Sequence, residues 1–253
     1  MNDLMHHANV NLGDLSRNSY PGRGIVIGTS QDGRFAVQVY WIMGRKPNSR
    51  NRVFKSKGGQ LFTEPVDPAQ VKDSSLIIYK AMDEYRGRFV VSNGDQTDTV
   101  VKKLGLHNNA TLSETLVERL FEPDAPNFTS RITGLCSIHM GTCSTTLSLI
   151  RKSSAVASVN QCERFYYEYD SILPALGICF HTYMEDGDPL PAFNGEPYHV
   201  PLDGPIDEVV ETYWSSLDKD NRVSLAVKFI ELATSKSKIK VINRFTQVGS
   251  TVV

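Results

Sequence analysis

Apolar residues along this chain gather in short runs separated by polar turns. Residues 24–30 and 34–43 are apolar, β-branched and aromatic, and Gln31-Asp32-Gly33 joins them. An Asp-Gly turn between two such runs predicts a hairpin. Runs at 75–81 and 88–92 predict two more strands. Residues 129–139 and 144–151 predict a second hairpin around Met140-Gly141-Thr142. Further strands are expected over 165–170, 176–183 and 238–245, and over the alternating Val223, Leu225, Val227 and Phe229. Helical spacing appears over 97–106 and over 111–121, where Leu112, Leu116, Val117 and Leu120 form one stripe. Thr111 and Glu114 fit a capping box at the start of the second. Ile206, Val209, Val210, Tyr213, Trp214 and Leu217 recur at helical intervals behind Pro205, which suits a first turn. Pro189, Pro191, Pro197 and Pro201 mark a long loop. Residues 1–19 are polar and read as a loosely ordered lead-in. No repeat, linker or composition break interrupts the rest. The pattern therefore predicts a single domain over 1–253, of the α/β (α+β) class, with mostly antiparallel strands and a few helices covering sheet faces.

Composition narrows the class. The 253 residues are 40% hydrophobic and 22% charged, an ordinary globular balance that excludes disordered, collagenous and disulfide-scaffold classes. The longest apolar runs, 76–79 and 175–180, fall far short of the ~18 residues of a membrane-spanning helix, so no membrane association is expected. Lys and Arg number 27 against 28 Asp and Glu, a net charge of −1. No global field attracts nucleic acid, and an anionic ligand must be met by a local basic cluster. The N-terminus has no signal-peptide core, so the glycosylation patterns at Asn109 and Asn127 carry no weight. Cys136, Cys143, Cys162 and Cys179 lack paired spacing and read as reduced thiols in a cytoplasmic protein.

The common cofactor and nucleophile motifs are missing: no phosphate-binding Gly-rich loop, no H-E-x-x-H, no G-x-S-x-G. No cofactor and no metal are expected. Four polar clusters remain. Arg45, Lys46, Arg50 and Arg52 fall among Gly, Pro and Asn, with Arg23 near the same hairpin end. Guanidinium forks match phosphate oxygens, and a solvated basic loop is the competing reading. Ser92-Asn93-Gly94-Asp95-Gln96-Thr97-Asp98-Thr99 joins a strand to a helix that Thr97 or Asp98 could cap. Glu122, Asp124 and Asn127 lie in a proline-stiffened loop ahead of Arg131. Tyr79, Tyr166, Tyr167, Tyr169 and Tyr183 lie on expected strands, where packing competes with a phenol facing a pocket.

Taken together, these segments resemble the archaeal-type IMP cyclohydrolase family, in its bacterial branch. The resemblance is carried by Pro21-Gly22-Arg23-Gly24, the stretch from Gly44 to Arg52, Ile78-Tyr79, Val90 to Gly94 with Thr97-Asp98-Thr99, Asn127 with Thr129-Ser130-Arg131-Ile132, and Thr182-Tyr183. These islands span residues 20–245 in order. The chain looks longer than the archaeal enzymes near Arg50 and in the proline-rich loop. The resemblance implies a four-layer αββα sandwich similar to N-terminal nucleophile hydrolases. It also implies closure of 5-formamidoimidazole-4-carboxamide ribotide to IMP with loss of water, the last step of de novo purine synthesis. The partner is then a small purine ribonucleotide, with no nucleic acid and no membrane, and a homo-oligomer is left open.

The roles expected on this basis are specific. Arg23, Arg45, Arg50 and Arg52 hold the 5′-phosphate and ribose. Asn93 and Asn127 bind the carboxamide or formyl oxygen, and Arg131 stabilises oxyanion character. Tyr79 and Glu122, with Tyr183 next, transfer protons. Two other functions stay open at this point: a non-catalytic purine-nucleotide binder, and an amidohydrolase of the N-terminal nucleophile type. The latter needs a Cys, Ser or Thr freed at a mature N-terminus, which Met1-Asn2-Asp3 does not supply without processing.

Overall fold

Buried apolar residues fall into three clusters, and the clusters define the layers. A computed structural model describes residues 2–71, 74, 76–155 and 161–246. In chain order the elements are α1 (Asn2–Arg17), β1 (Gly24–Thr29), β2 (Phe35–Met43), α2 (Pro47–Arg50), β3 (Val53–Lys57), β4 (Gln60–Glu64), β5 (Lys80–Tyr85), β6 (Arg88–Ser92), α3 (Gln96–Leu106), α4 (Leu112–Leu116), β7 (Arg131–His139), β8 (Thr142–Lys152), β9 (Cys162–Tyr169), β10 (Leu176–His181), β11 (Tyr198–Pro201), α5 (Ile206–Ser216), β12 (Arg222–Glu231) and β13 (Ser237–Asn243). Among the described residues, one sheet runs β11-β10-β1-β2-β12-β13 and the other is a meander from β3 to β9.

The first cluster fills the space between the sheets, with Ile25, Ile27, Tyr40, Phe89, Val91, Ile132 and Leu147. The second packs the outer face of the six-stranded sheet, through Val26, Val39 and Trp41, against Leu15 of α1 and Val209 and Tyr213 of α5. The third packs Val90, Leu135 and Ile150 of the meander against Val100 and Leu104 of α3 and Leu112 and Leu116 of α4. Successive strand residues point to opposite faces. Val26 therefore faces helices while Ile25 and Ile27 face the other sheet. Strands covered on both faces read as continuous apolar runs, which is why β1, β2 and β6 were visible as runs. The result is an α+β sandwich of two antiparallel sheets with helices outside each, as expected. Among the described residues, no helix is long and apolar enough to cross a membrane.

Several boundaries differ from expectation. Residues 2–17 form α1 rather than a loose lead-in: Ala8 and Leu15 are buried at helical spacing, and Asn11 Nδ2 donates to His199 O of β11 at 2.8 Å. The strand expected over 75–81 is β5, displaced to Lys80–Tyr85; position 75 lies outside the described residues. Ile77 and Tyr79 are buried from the preceding turn instead. The helix expected over 111–121 stops at Leu116, although its capping box forms as read, Thr111 N donating to Glu114 Oε2 at 2.7 Å. Neither Thr97 nor Asp98 caps α3. Its N-cap is Asp95, Thr97 Oγ1 pairs with Ser92 Oγ at 2.6 Å, and Asp98 meets Lys80. The hairpin β3–β4 was not anticipated, though Gly58 at its turn has the positive φ that such turns require.

The alternation in β12 is also broken. A register shift between Arg222 and Ser224 sends Val223 into the inter-sheet core, while Leu225, Val227 and Phe229 face the helix side. Lys228 points between the sheets, fully buried. Its Nζ donates to Gly59 O at 2.7 Å and to Glu84 Oε2 at 3.0 Å, the pairing that a buried ammonium needs. Cys136, Cys143, Cys162 and Cys179 are free thiols.

Candidate active site

One end of the sandwich opens into a cleft of about 350 Å³. Its walls come from segments adjacent only in space: residues 20–23 ahead of β1, the end of β2 with the loop after it, the 122–129 loop ahead of β7, and the chain leaving β10. The pairing of β1 with β10 continues past both strands. Thr182 N donates to Arg23 O at 2.9 Å and Tyr183 N to Pro21 O at 3.2 Å. Gly22 makes this approach possible. Its φ is +77°, and a Cβ there would stand 2.2 Å from Thr182 Oγ1 and 2.5 Å from the Tyr183 ring.

Arg23 and Glu122 form the floor. Arg23 Nη1 donates to Glu122 Oε1 at 2.9 Å and Nη2 to Oε2 at 2.7 Å, a bidentate pair, and Nη1 also meets Asn93 O at 3.0 Å. Both side chains are almost wholly buried, with 9% and 3% exposed. Burial works against the Arg23 charge, but the adjacent Glu122 carboxylate outweighs it and holds the guanidinium firmly protonated. Burial raises the Glu122 carboxyl above the usual carboxylate range, with Arg23 acting in the opposite sense.

The rim is basic and aromatic. Arg45 sits 4.9 Å from the Tyr20 ring centroid, donates to Gly187 O at 3.0 Å and pairs with Asp186. Tyr20 stacks on Tyr183, with centroids 6.0 Å apart and rings 18° from parallel. Arg52 is buried and anchors the loop after β2, donating from Nε to Ser49 O at 2.9 Å and from Nη2 to Met43 O at 3.0 Å. Lys46 completes the lining cations, and Asn127 accepts Leu190 N at 3.0 Å through Oδ1. The lining sets Arg23, Arg45, Lys46 and Arg52 against Glu122 and Asp124. A chain of net charge −1 thus concentrates positive charge at this cleft, the local cluster an anionic ligand requires.

Of the ten residues assigned roles above, Arg23, Arg45, Arg52, Glu122, Asn127 and Tyr183 line the cleft. Four others do not. Arg50 turns away, its Nε on Gly44 O and Nη2 on Asp220 O. Asn93 is fully buried, and its amide is spent inside the protein: Nδ2 donates to Ser130 O at 2.8 Å, while Oδ1 accepts Gln96 Nε2 and Ile132 N. It ties the end of β6 to the start of β7 rather than facing a substrate. Arg131 is engaged by Asp95, Gln96 Oε1 and Leu120 O, bracing the wall behind Glu122. Gly94 lets these groups approach, since a Cβ there would lie 2.6 Å from Arg131 Nη1. The Tyr79 hydroxyl pairs with that of Tyr40 at 2.6 Å, inside the inter-sheet core. Tyr20, Asn48, Ser49 and Thr129 line the cleft as well; the last three lie in segments that carry the family resemblance, but none of the four was assigned a role. Tyr20 directly follows the expected lead-in of residues 1–19 and belongs to no apolar run, and a hydroxyl in a loop carries no periodic signal.

His181 lies behind Tyr183, buried, with Nδ1 on Tyr183 O at 2.7 Å and its ring against Phe193 and Tyr198. Burial pushes its pKa down to about 4. The unfolded chain takes up this proton near pH 6.5 while the folded chain refuses it until about 4. Between these values the unfolded state binds more protons, so stability falls as pH falls. The wild type should lose on the order of 3 kcal/mol more than His181→Asn between pH 7 and pH 4, read by urea unfolding at each pH. Equal losses in both proteins would remove His181 as the cause.

A basic rim, stacked tyrosines and a buried arginine–carboxylate pair thus meet in one cleft. The family model described as IMP cyclohydrolase-like protein matches residues 20–235, a stretch that contains every cleft residue named above. A protein of Methanothrix thermoacetophila named IMP cyclohydrolase is 33% identical over 88 residues, 34% of this chain and 41% of its own length. The aligned stretch thus spans less than half of that relative. With the matched segment covering most of its length, the chain belongs to the IMP cyclohydrolase-like protein family.

Proposed function

We propose that this protein binds 5-formamidoimidazole-4-carboxamide ribotide in the cleft and closes it to IMP with loss of water. The observation that carries the reading is the Arg23–Glu122 pair, buried beneath a rim of Arg45, Lys46 and Arg52 within the family-matched segment. The rim cations take the 5′-phosphate, and Arg52, fixed by two carbonyls, presents its remaining N–H donors from a rigid position. Tyr183, backed by Tyr20, offers an aromatic surface to the heterocycle. Asn127, with its oxygen held by Leu190 N, directs its amide N–H toward the substrate carbonyl groups.

The reaction is already intramolecular. The carboxamide nitrogen attacks the formyl carbon of the formamide borne by the neighbouring ring atom, and the formyl oxygen leaves as water. What the protein adds is the attacking pose and stabilisation of the charge that develops on the formyl oxygen. Arg23 is the fixed cation of the floor, and its contacts with Glu122 and Asn93 do not exhaust its N–H donors. Glu122 keeps that guanidinium oriented. Arg131, Asn93 and Tyr79 support this arrangement from behind.

The test is direct. Purified protein given the formylated ribotide should convert it to IMP, followed by absorbance and product chromatography, and should bind IMP more tightly than inosine. Binding of IMP without conversion would favour the non-catalytic nucleotide binder. Failure of both would overturn the reading.

A further inference from the structure

A second set of groups on the cleft wall is not used by the floor pair. Tyr183, Thr129 and Asp124 all line the cleft. The Thr129 hydroxyl lies within hydrogen-bonding distance of both the Tyr183 hydroxyl and Asp124 Oδ2. Asp124 Oδ1 accepts Thr129 N at 2.7 Å, and Glu122 N donates to Thr129 O at 2.9 Å, so the three groups are clamped together. Tyr183 and Thr129 are buried, whereas Asp124 is half-exposed.

The proton positions follow from chemistry. An ionised carboxylate only accepts hydrogen bonds. Thr129 therefore donates to Asp124, and its oxygen is left to accept from Tyr183. Tyr183 spends its own proton on Thr129 and turns oxygen lone pairs toward the cleft. A phenol in the cleft would ordinarily be read as a donor. Here the chain orients it as an acceptor.

Resting on the ring-closing reading above, we infer that Tyr183, Thr129 and Asp124 form a proton relay that takes substrate N–H protons and returns them to the departing oxygen. In the forward sense a substrate nitrogen gives its proton to Tyr183 Oη. The Tyr183 proton passes to Thr129 Oγ1, and the Thr129 proton passes to Asp124 Oδ2. The N–C bond forms as the nitrogen lone pair is released. Reversal of the same transfers places a proton on the former formyl oxygen. Two nitrogen protons must reach that oxygen before it leaves as water, one from the carboxamide and one from the formamide. Two passages along the chain balance the turnover and restore its starting state. Burial pushes Tyr183 up to about 12 despite Arg23 nearby, so a free phenolate does not persist and transfer through Thr129 is the lower path. Arg23, Glu122 and Asp124 are the charged groups that face this phenol.

Thr129→Val keeps the shape and removes the relay hydroxyl, Thr129→Ser keeps the hydroxyl, and Tyr183→Phe keeps the ring stacked on Tyr20. With the formylated ribotide, Thr129→Val and Tyr183→Phe should each lower kcat about 100-fold or more, the range of general acid–base catalysis, with IMP affinity within about threefold of wild type. Thr129→Ser should recover most of kcat. The double variant should be no worse than either single one, as for groups in one chain. The solvent deuterium effect on wild-type kcat should fit more than one proton in flight, and that on Thr129→Val one. Full kcat in Thr129→Val, equal losses in the Val and Ser variants, or additive losses in the double variant would overturn the relay while leaving the ring-closing reading intact. A wild type that forms no IMP would overturn both. Should Thr129→Val not fold, Tyr183→Phe and Thr129→Ser decide the same question.

Discussion

Glu122→Ala is expected to lower the unfolding free energy by about 3–5 kcal/mol and to abolish turnover. The reason is the guanidinium left behind. Arg23 is 9% exposed and is held by both oxygens of Glu122 at 2.7 and 2.9 Å. Removing the carboxylate strands a charge with one carbonyl partner, Asn93 O, in a site that water barely reaches. Removing both charges is a different matter. Arg23→Met with Glu122→Leu eliminates the desolvation cost along with the attraction, and such replacements are often neutral or stabilising. The double variant should therefore regain most of the lost stability yet form no IMP. Urea unfolding and the product assay separate the two effects. If Glu122→Ala costs no more than an ordinary surface substitution, the pair is not energetically coupled. If the apolar pair retains turnover, its catalytic assignment fails.

The same pair leads us to expect an acid limit on IMP formation, read as the rate of product formation against pH beside the unfolding free energy at each pH. Burial raises the Glu122 carboxyl, so on acidification it takes up a proton before ordinary surface carboxylates do. Once neutral, it holds Arg23 by weaker bonds and no longer balances its charge. Activity should fall in that range while the fold persists.

Much of the architecture was legible because sheets covered on both faces impose long apolar runs. The β1–β2 hairpin, β6, the β7–β8 hairpin and α5 all appear where such patterns place them. α1 was missed because only a narrow stripe, with Ala8 and Leu15 at its centre, touches the sheet, and polar residues fill the rest. β5 was displaced because its own residues include Asp83 and Glu84. The buried Asp83 meets Lys80 and Gln60, and Glu84 meets Lys228 across the sandwich. Local hydropathy cannot register partners as distant in sequence as Gln60 and Lys228.

The site shows a sharper boundary. The polar strings were visible, but the direction of each side chain was not. Arg50 and Arg52 are two positions apart in one basic loop. The four-residue α2 ends between them, leaving Arg52 on the cleft and Arg50 on Gly44 and Asp220. Asn93 sits in the most distinctive polar string, yet its amide closes backbone groups of Ser130 and Ile132 at the start of β7. A polar residue that holds a wall together and one that touches a ligand look alike until the partners are known.

Arg45→Ala is expected to weaken IMP binding about 10–100-fold and to raise KM in proportion, leaving kcat less affected. Arg45 lies on the cleft rim against the Tyr20 ring, where the 5′-phosphate would sit several bonds from the closing ring. That contact is much the same in the ground and transition states, so its loss appears as uniform binding. A hydrogen bond to a charged group is worth about 1.5–3 kcal/mol, which gives the stated range. Lys at this position should recover little, because an ammonium can neither reproduce the fork nor lie flat on the tyrosine. Inosine, lacking the phosphate, should bind the wild type and Arg45→Ala alike. Arg50→Ala is the internal control. Its guanidinium serves two carbonyl groups outside the cleft, so IMP affinity should stay within about twofold, well under one tenfold step of ~1.4 kcal/mol. Titration calorimetry of IMP and inosine into the wild type, Arg45→Ala, Arg45→Lys and Arg50→Ala measures every term. An Arg45→Ala protein that binds IMP as the wild type does, or an Arg50→Ala protein that loses as much as Arg45→Ala, would move the phosphate away from this rim.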